Sequence, residues 1–281
     1  MLVRRTKGEL RRLDIRARKG LGQHFLVDRA VLNRIVTAAE LTATDVVLEV
    51  GPGLGILTEK LADIAASVVA IEIDPRLASA LEERLASCGN VTVVNRDVLQ
   101  TEPGALLGLA ADKLDTPYKV VANLPYYIAS AVVRSFLEGR PKPCVMVVTV
   151  QKEVAAQMVA EPGGMSLLSV GVQFYGKPSI VQRIPASKFY PRPKVDSAVV
   201  RIDVFERPAV DVDDEAEFFN VVRAGFSAPR KQLHNALAQG LLLSPHEAAS
   251  LVERAGVCKK RRAETLSLEE WARIYRACRD R

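Results

Sequence analysis

Val46-Val47-Leu48-Glu49-Val50, an apolar run of one strand's length, leads straight into Gly51-Pro52-Gly53-Leu54-Gly55, and a helical pattern follows to about residue 65. Three glycines in five positions between a strand and a helix confine the chain to a tight crossover. There the backbone can approach a ligand that a Cβ would repel. Further β-branched apolar runs recur at 68–73, 91–94, 119–122 and 145–150, separated by helical patterns, and Asp74-Pro75 opens one helix with proline at an early position. Short apolar strands alternating with helices imply a mostly parallel sheet with helices on both faces.

After a helical stretch from Gln151, two longer strands are expected near 169–175 and 197–205, joined by the proline-rich Phe189-Tyr190-Pro191-Arg192-Pro193-Lys194. The character changes at Glu206-Arg207-Pro208. From Asp213 onward the pattern is helical throughout, and Ser267 before Glu269-Glu270 reads as a capped helix start. The expected division is a basic arm at 1–20, an α/β domain at 21–206 and a small all-α domain at 207–281. No internal repeat is visible.

Composition excludes several classes. No apolar run reaches the roughly 18 residues of a membrane span, and the N-terminus lacks the apolar core of a secretory signal. The four cysteines, Cys88, Cys144, Cys258 and Cys278, are widely spaced with no Cys-X-X-Cys pair, and the three histidines lack metal-ligand spacing. A reduced, cytoplasmic protein without a metal is expected. Net charge is +6, and residues 1–20 hold eight bases against two acids, so the rest of the chain is formally neutral. A basic arm on a neutral body suits a polyanion through counterion release, although a solubilising tail has the same composition. The arm ends before the first expected pocket residue, so it is expected to be separable from the ligand site.

About twenty residues after the glycine loop, Glu72 ends a strand where an acidic side chain can accept both hydroxyls of a ribose. That pair alone suits a dinucleotide equally well. Asp97 closes the third strand, where a carboxylate can accept an adenine amine, and the three features in this order favour S-adenosylmethionine over NAD. Each has an ordinary structural explanation singly, glycines for packing and acids as helix caps. Their order has none.

Asn123-Leu124-Pro125-Tyr126 closes the fourth strand of the pattern. The Asn123 carboxamide oxygen and a backbone carbonyl near Leu124 can draw an adenine amine towards tetrahedral geometry and free its lone pair. Tyr126 can stack on the base, and positioning does most of the catalytic work. Phe189 is a candidate for the second face of an aromatic sandwich around a flipped-out base; a core phenylalanine fits almost as well.

These residues together resemble the rRNA adenine dimethyltransferases of the KsgA type over residues 20 to about 273. The resemblance is carried by Leu21-Gly22-Gln23-His24-Phe25-Leu26, Glu49 to Gly55, Ile71-Glu72-Ile73-Asp74, Asp97, Asn123 to Tyr126, and Phe189 to Ser197. Arg230 to Asn235 and Arg262 to Ser267 support it. It implies a class I methyltransferase domain, Rossmann-like with one antiparallel strand among seven, plus a small C-terminal helical domain. It implies that two adjacent adenines near the 3′ end of small-subunit rRNA are dimethylated within a pre-ribosomal particle, by a monomer. Cofactor contacts would fall on His24, Leu26, Gly51, Gly53, Glu72, Asp97 and Asn123, and the target adenine among Asn123, Leu124, Tyr126 and Phe189. Position 24 is often Asn in bacterial members and is His here; both can hydrogen-bond. The alternatives are a large-subunit rRNA methyltransferase of the macrolide-resistance type and a non-catalytic rRNA-binding assembly factor. A DNA adenine methyltransferase would more typically carry Asp-Pro-Pro-Tyr at 123–126.

Overall fold

The computed structural model describes residues 2–12, 23–108 and 117–280. Residues 13–20 of the basic arm and Leu21-Gly22 of the first motif lie outside them. The chain divides into two compact units, one of residues 1–155 and 177–204, the other of 156–176 and 205–281.

In the first unit, α1 (Leu2–Arg12) precedes β1 (Phe25–Leu26), α2 (Arg29–Ala39), β2 (Val46–Val50), α3 (Ile56–Ala62), β3 (Ser67–Glu72), α4 (Pro75–Leu85), β4 (Val91–Asn95) and α5 (Pro103–Leu107). It continues with β5 (Tyr118–Asn123), α6 (Ala129–Glu138), β6 (Val145–Gln151) and α7 (Lys152–Met158), the last of which crosses into the second unit. The second unit holds α8 (Leu167–Tyr175), after which the chain returns for β7 (Gly176–Ile184), β8 (Phe189–Tyr190) and β9 (Ser197–Val204). Helices α9 (Glu215–Phe226), α10 (Leu233–Gly240), α11 (Pro245–Arg254) and α12 (Leu268–Arg279) complete the second unit.

Seven strands form one sheet in the order β4-β3-β2-β5-β6-β9-β7. The pairs from β4 to β6 are parallel and β9 runs antiparallel to β6, with Val148 opposite Val200. All five residues of β2 are buried, so both faces of the sheet are covered, as the unbroken apolar run required. Val47, Val68, Val121, Val147 and Val199 share one core with Ile35 of α2 and Leu61 of α3. This is the mostly parallel Rossmann-like sheet expected.

The strand expected at 169–175 is a helix. Ser166 Oγ accepts from Ser169 N and Ser169 Oγ accepts from Ser166 N, a reciprocal cap that satisfies two amides a strand would direct sideways. The boundary expected at 206 is also incomplete. Phe174 of α8 stacks on Phe218 of α9 at 4.9 Å and meets Phe219 edge-on at 5.1 Å, so 156–176 belongs with the helical unit.

The basic arm is docked on the first unit. Its described part is α1, in which Thr6 is 1% and Leu10 5% exposed. Leu10 packs with Leu54 of the glycine loop and Leu77 of α4, beside Phe25 and Tyr190. An apolar residue four positions after Thr6 gives the helix one buried stripe, and that stripe docks it.

Gly55 has φ +76°, and a Cβ there would stand 2.3 Å from Leu81 Cδ1. Gly55→Ala is therefore expected to lower stability by about 1–2 kcal/mol from the left-handed backbone alone, more where Leu81 resists displacement. Urea denaturation of the variant measures it; an unchanged midpoint would show that the turn tolerates a side chain.

Candidate active site

Strand order reverses between β2 and β5, and a cavity of about 440 Å³ opens there, at the carboxyl ends of the strands. Its wall includes the glycine loop, Glu72, Asp97 and Asn123 to Tyr126, with His24 and Leu26 from the segment around β1. The two signature loops lie side by side: a Cβ built on Gly51 would meet Pro125 Cδ at an ordinary 3.4 Å, and it is the left-handed backbone (φ +67°) that favours glycine there.

Glu72 is 4% exposed and is held by two backbone amides: its Oε2 accepts from Gly53 N at 3.1 Å and its Oε1 from Asp74 N at 3.0 Å. Burial raises its pKa, and those amides oppose the rise. A carboxylate has about four lone-pair positions, so two bonds leave room for a pair of ribose hydroxyls. Asp97 caps the short 3-10 turn Val98–Gln100: Oδ1 accepts from Leu99 N at 3.0 Å and Oδ2 from Gln100 Nε2 at 3.1 Å. It is at once the ordinary cap and a cavity residue with acceptor capacity left. Ile73 and Leu99, both exposed, add apolar surface on the same wall.

Asn123 is half satisfied. Its Nδ2 donates to His24 O at 3.1 Å, which orients the carboxamide and leaves Oδ1 buried without a described partner. Leu124 N donates to Thr149 O at 3.2 Å and Pro125 O accepts from Ile128 N at 3.2 Å. Leu124 O has no described partner. His24 Nδ1 donates to Pro191 O at 2.7 Å, and the imidazole lies 5.3 Å from the Tyr126 ring, tilted 31°. Because the contact from position 24 to Asn123 uses the main chain, exchanging Asn for His there leaves it in place. The Tyr126 hydroxyl pairs with Ser197 Oγ at 2.6 Å, anchoring the ring at the wall.

Phe189 is the one expected site residue that is not brought to the cavity. It is 3% exposed and packs in the core with Leu26 and Ile35. Successive residues of a strand point to opposite faces, and in β8 the inward position falls on Phe189. The ring that meets Tyr126 belongs to His24.

Two residues of the wall carried a signal that went unread. Tyr127 is 54% exposed and lines the cavity; burial, followed by the charges of Asp97 and Glu72, raises its phenol pKa. Glu49 is a carboxyl inside an otherwise apolar strand, 1% exposed, with Oε2 unpartnered. Its burial, with a smaller contribution from the Glu72 charge, pushes its pKa up to about 8. Two carboxyls that burial pushes towards the protonated form, Glu49 the more strongly, thus line the cavity together.

The family of ribosomal RNA adenine dimethylases matches residues 15–280. The chain belongs to that family. As a dimethylase-family member it is 50% identical over 270 residues to the ribosomal RNA small subunit methyltransferase A of Dehalococcoides mccartyi (strain ATCC BAA-2266 / KCTC 15142 / 195), covering 96% of this chain and 91% of the relative. The protein of the same name from Moorella thermoacetica (strain ATCC 39073 / JCM 9320) is 44% identical over 278 residues, 97% of this chain and 96% of the relative. Among solved structures, a dimethyladenosine transferase from Plasmodium falciparum superposes with TM-score 0.74 at 27% identity, over 89% of this chain and 96% of that one. The 23S rRNA methyltransferase ErmE superposes with TM-score 0.70 at 31% identity, over 90% and 98%. The dimethylase's methyltransferase unit is therefore of class I. The glycine cradle and the spare acceptors on Glu72 and Asp97 fit an adenosine-bearing sulfonium cofactor.

Glu49 gives this dimethylase a pH signature. Its folded pKa of about 8 exceeds the unfolded value near 4.5, so the folded state keeps the proton longer and loses stability as pH rises between the two. Glu49→Gln removes that loss. The stability advantage of the variant should grow by a few kcal/mol, on the order expected for so large a shift, from pH 5 to pH 8 and then level off. Denaturant titrations at both pH values test it; a constant difference would mean that Glu49 is ionised in the fold.

Proposed function

We propose that this protein transfers methyl groups from S-adenosylmethionine to the exocyclic amines of two adjacent adenines near the 3′ end of small-subunit rRNA, acting as a monomer on a pre-ribosomal particle. Family membership supports the reaction class. The chain's own support is the pair of open acceptors on consecutive residues, Asn123 Oδ1 and Leu124 O. The choice of small-subunit over large-subunit rRNA follows the relatives: those at 44% and 50% identity carry the small-subunit name, against 31% for ErmE.

The adenine amine is a poor nucleophile because its lone pair is conjugated with the ring. Two acceptors that take its two N–H bonds pull the nitrogen towards tetrahedral geometry and turn the lone pair out of conjugation. S-adenosylmethionine, when bound, would supply an electrophilic methyl carbon on a sulfonium, with a neutral thioether as leaving group. The amine so oriented would take the methyl as the C–S bond breaks and then give up its proton to water. No strong base is required, so the residues act chiefly by orientation. Tyr126, anchored through Ser197, offers its ring to the base, and Glu72 and Asp97 hold the ribose and adenine of the cofactor.

Asn123→Ala should reduce methyl transfer about a hundredfold or more, the usual cost of losing one hydrogen bond that positions a reacting group, while the fold is retained and thermal stability drops only by what the lost bond to the His24 carbonyl contributes, about 1 kcal/mol. Turnover within a few-fold of the unaltered protein would refute the acceptor-pair mechanism. Mapping methylated adenines in rRNA from cells with and without the gene tests the substrate. Loss of marks from large-subunit rRNA alone would move the protein to the macrolide-resistance type.

A further inference from the structure

Helix α1 is basic, yet it is not a loose tail. Among its eleven residues are Arg4, Arg5, Lys7, Arg11 and Arg12 against the single acid Glu9. Thr6 and Leu10, one turn apart, are buried, and Leu10 lies on Leu54 and Leu77, which themselves line the large cavity. Lys7 Nζ sits 5.0 Å from the centre of the Tyr190 ring, beside the Pro191 carbonyl that holds His24. Glu9 and Arg12 border a small crevice shared with Gly53, Leu54 and Arg84. The helix is therefore seated on the outer side of the glycine loop.

Its other side is open. Arg4 and Arg11, seven residues apart and so on one row of the helix, are exposed, and neither pairs with a carboxylate among the described residues. Arg12 is also exposed, and its contact is to Glu9 at 3.2 Å, a surface pair of little energetic weight. Three exposed guanidinium groups held against one wall of the cavity have the chemistry of a phosphate-binding surface. Arginine presents a planar fork to phosphate oxygens, and a row fixed in place loses less side-chain freedom on binding than a flexible tail does.

We infer that the exposed face of α1, with Arg4, Arg11 and Arg12, is a docking surface for the phosphate backbone of the substrate rRNA, held beside the cavity by Thr6, Lys7 and Leu10. The inference rests on the proposed rRNA substrate and adds where the strand lies when its adenine enters. It also couples the arm to the cofactor wall, contrary to the separability expected from sequence. A deletion of the arm would disturb both sites at once, so point substitutions are the cleaner probe.

The probe is the small-subunit particle isolated from cells lacking this gene, titrated with full-length protein at several salt concentrations. Neutralising the row (Arg4→Gln, Arg11→Gln and Arg12→Gln together) leaves Leu10 and the cavity wall untouched. The log–log salt slope should become shallower by about 2, at roughly 0.7–0.9 for each phosphate that is no longer neutralised. Affinity at 0.15 M salt should fall about tenfold or more, while S-adenosylmethionine affinity by calorimetry stays unchanged. Leu10→Ala keeps every charge but frees the helix, and should make the slope shallower too. Parallel slopes for the neutralised protein would overturn the docking surface. An unchanged slope for Leu10→Ala would overturn it as well, since charge alone would then suffice. Binding is read without turnover, so a particle that is bound but not methylated would count against the proposed reaction and leave the slopes to judge the helix.

Discussion

The Glu72 carboxylate ties the glycine loop to the end of β3. One oxygen takes the Gly53 amide and the other the Asp74 amide at the start of α4, so one buried group fixes the height of the loop, the first turn of the next helix and the mouth of the cavity. The arrangement stands because both oxygens are satisfied; a buried carboxylate lacking those amides would be costly. Pro125 beside Gly51 and the Leu10 contact with Leu54 then build on a loop already held.

Much of this was legible in the chain. Runs of β-branched residues ending in Gly51, Glu72, Asp97 and Asn123 identified the parallel sheet and the end at which ligands bind, because strand length, burial on both faces and the breaks between runs are local properties. The helix at 167–175 was not legible. Its residues are mostly apolar, and such a run reads equally as a buried strand; the deciding signal was the Ser166 and Ser169 pair, which only geometry shows to be reciprocal. Glu49 was hidden for the opposite reason. One carboxyl in an apolar strand looks like noise until it is found to be buried, with one oxygen unpartnered, and at the cavity.

Phe189 and α1 failed on long-range grounds. Whether Phe189 or Tyr190 faces inward depends on the register of β8 against β1, with Leu26 opposite Phe189, a pairing between segments far apart in the chain. The arm's charge masked its two buried positions, since Thr6 and Leu10 make too thin a stripe to stand out from five bases. Asn123 lay between these cases. Its motif pointed to an acceptor, but only the His24 carbonyl, brought in from far upstream, settles which end of the carboxamide is free.

The path of the chain between its two units limits how such a protein can be rearranged. Residues 156–176 leave the first unit, join the second, and return as β7, which lies in the sheet next to β9. The aromatic stack of the helical unit draws Phe174 and Tyr175 from this early excursion and Phe218 and Phe219 from the C-terminal segment. A cut at residue 205 would strip one half of that stack and expose the other. The helical unit is thus not a cassette that can be joined on or removed at one junction. Exchange between relatives must carry both segments together, and its core is complete only when the last helices have been made, long after the strands of the sheet.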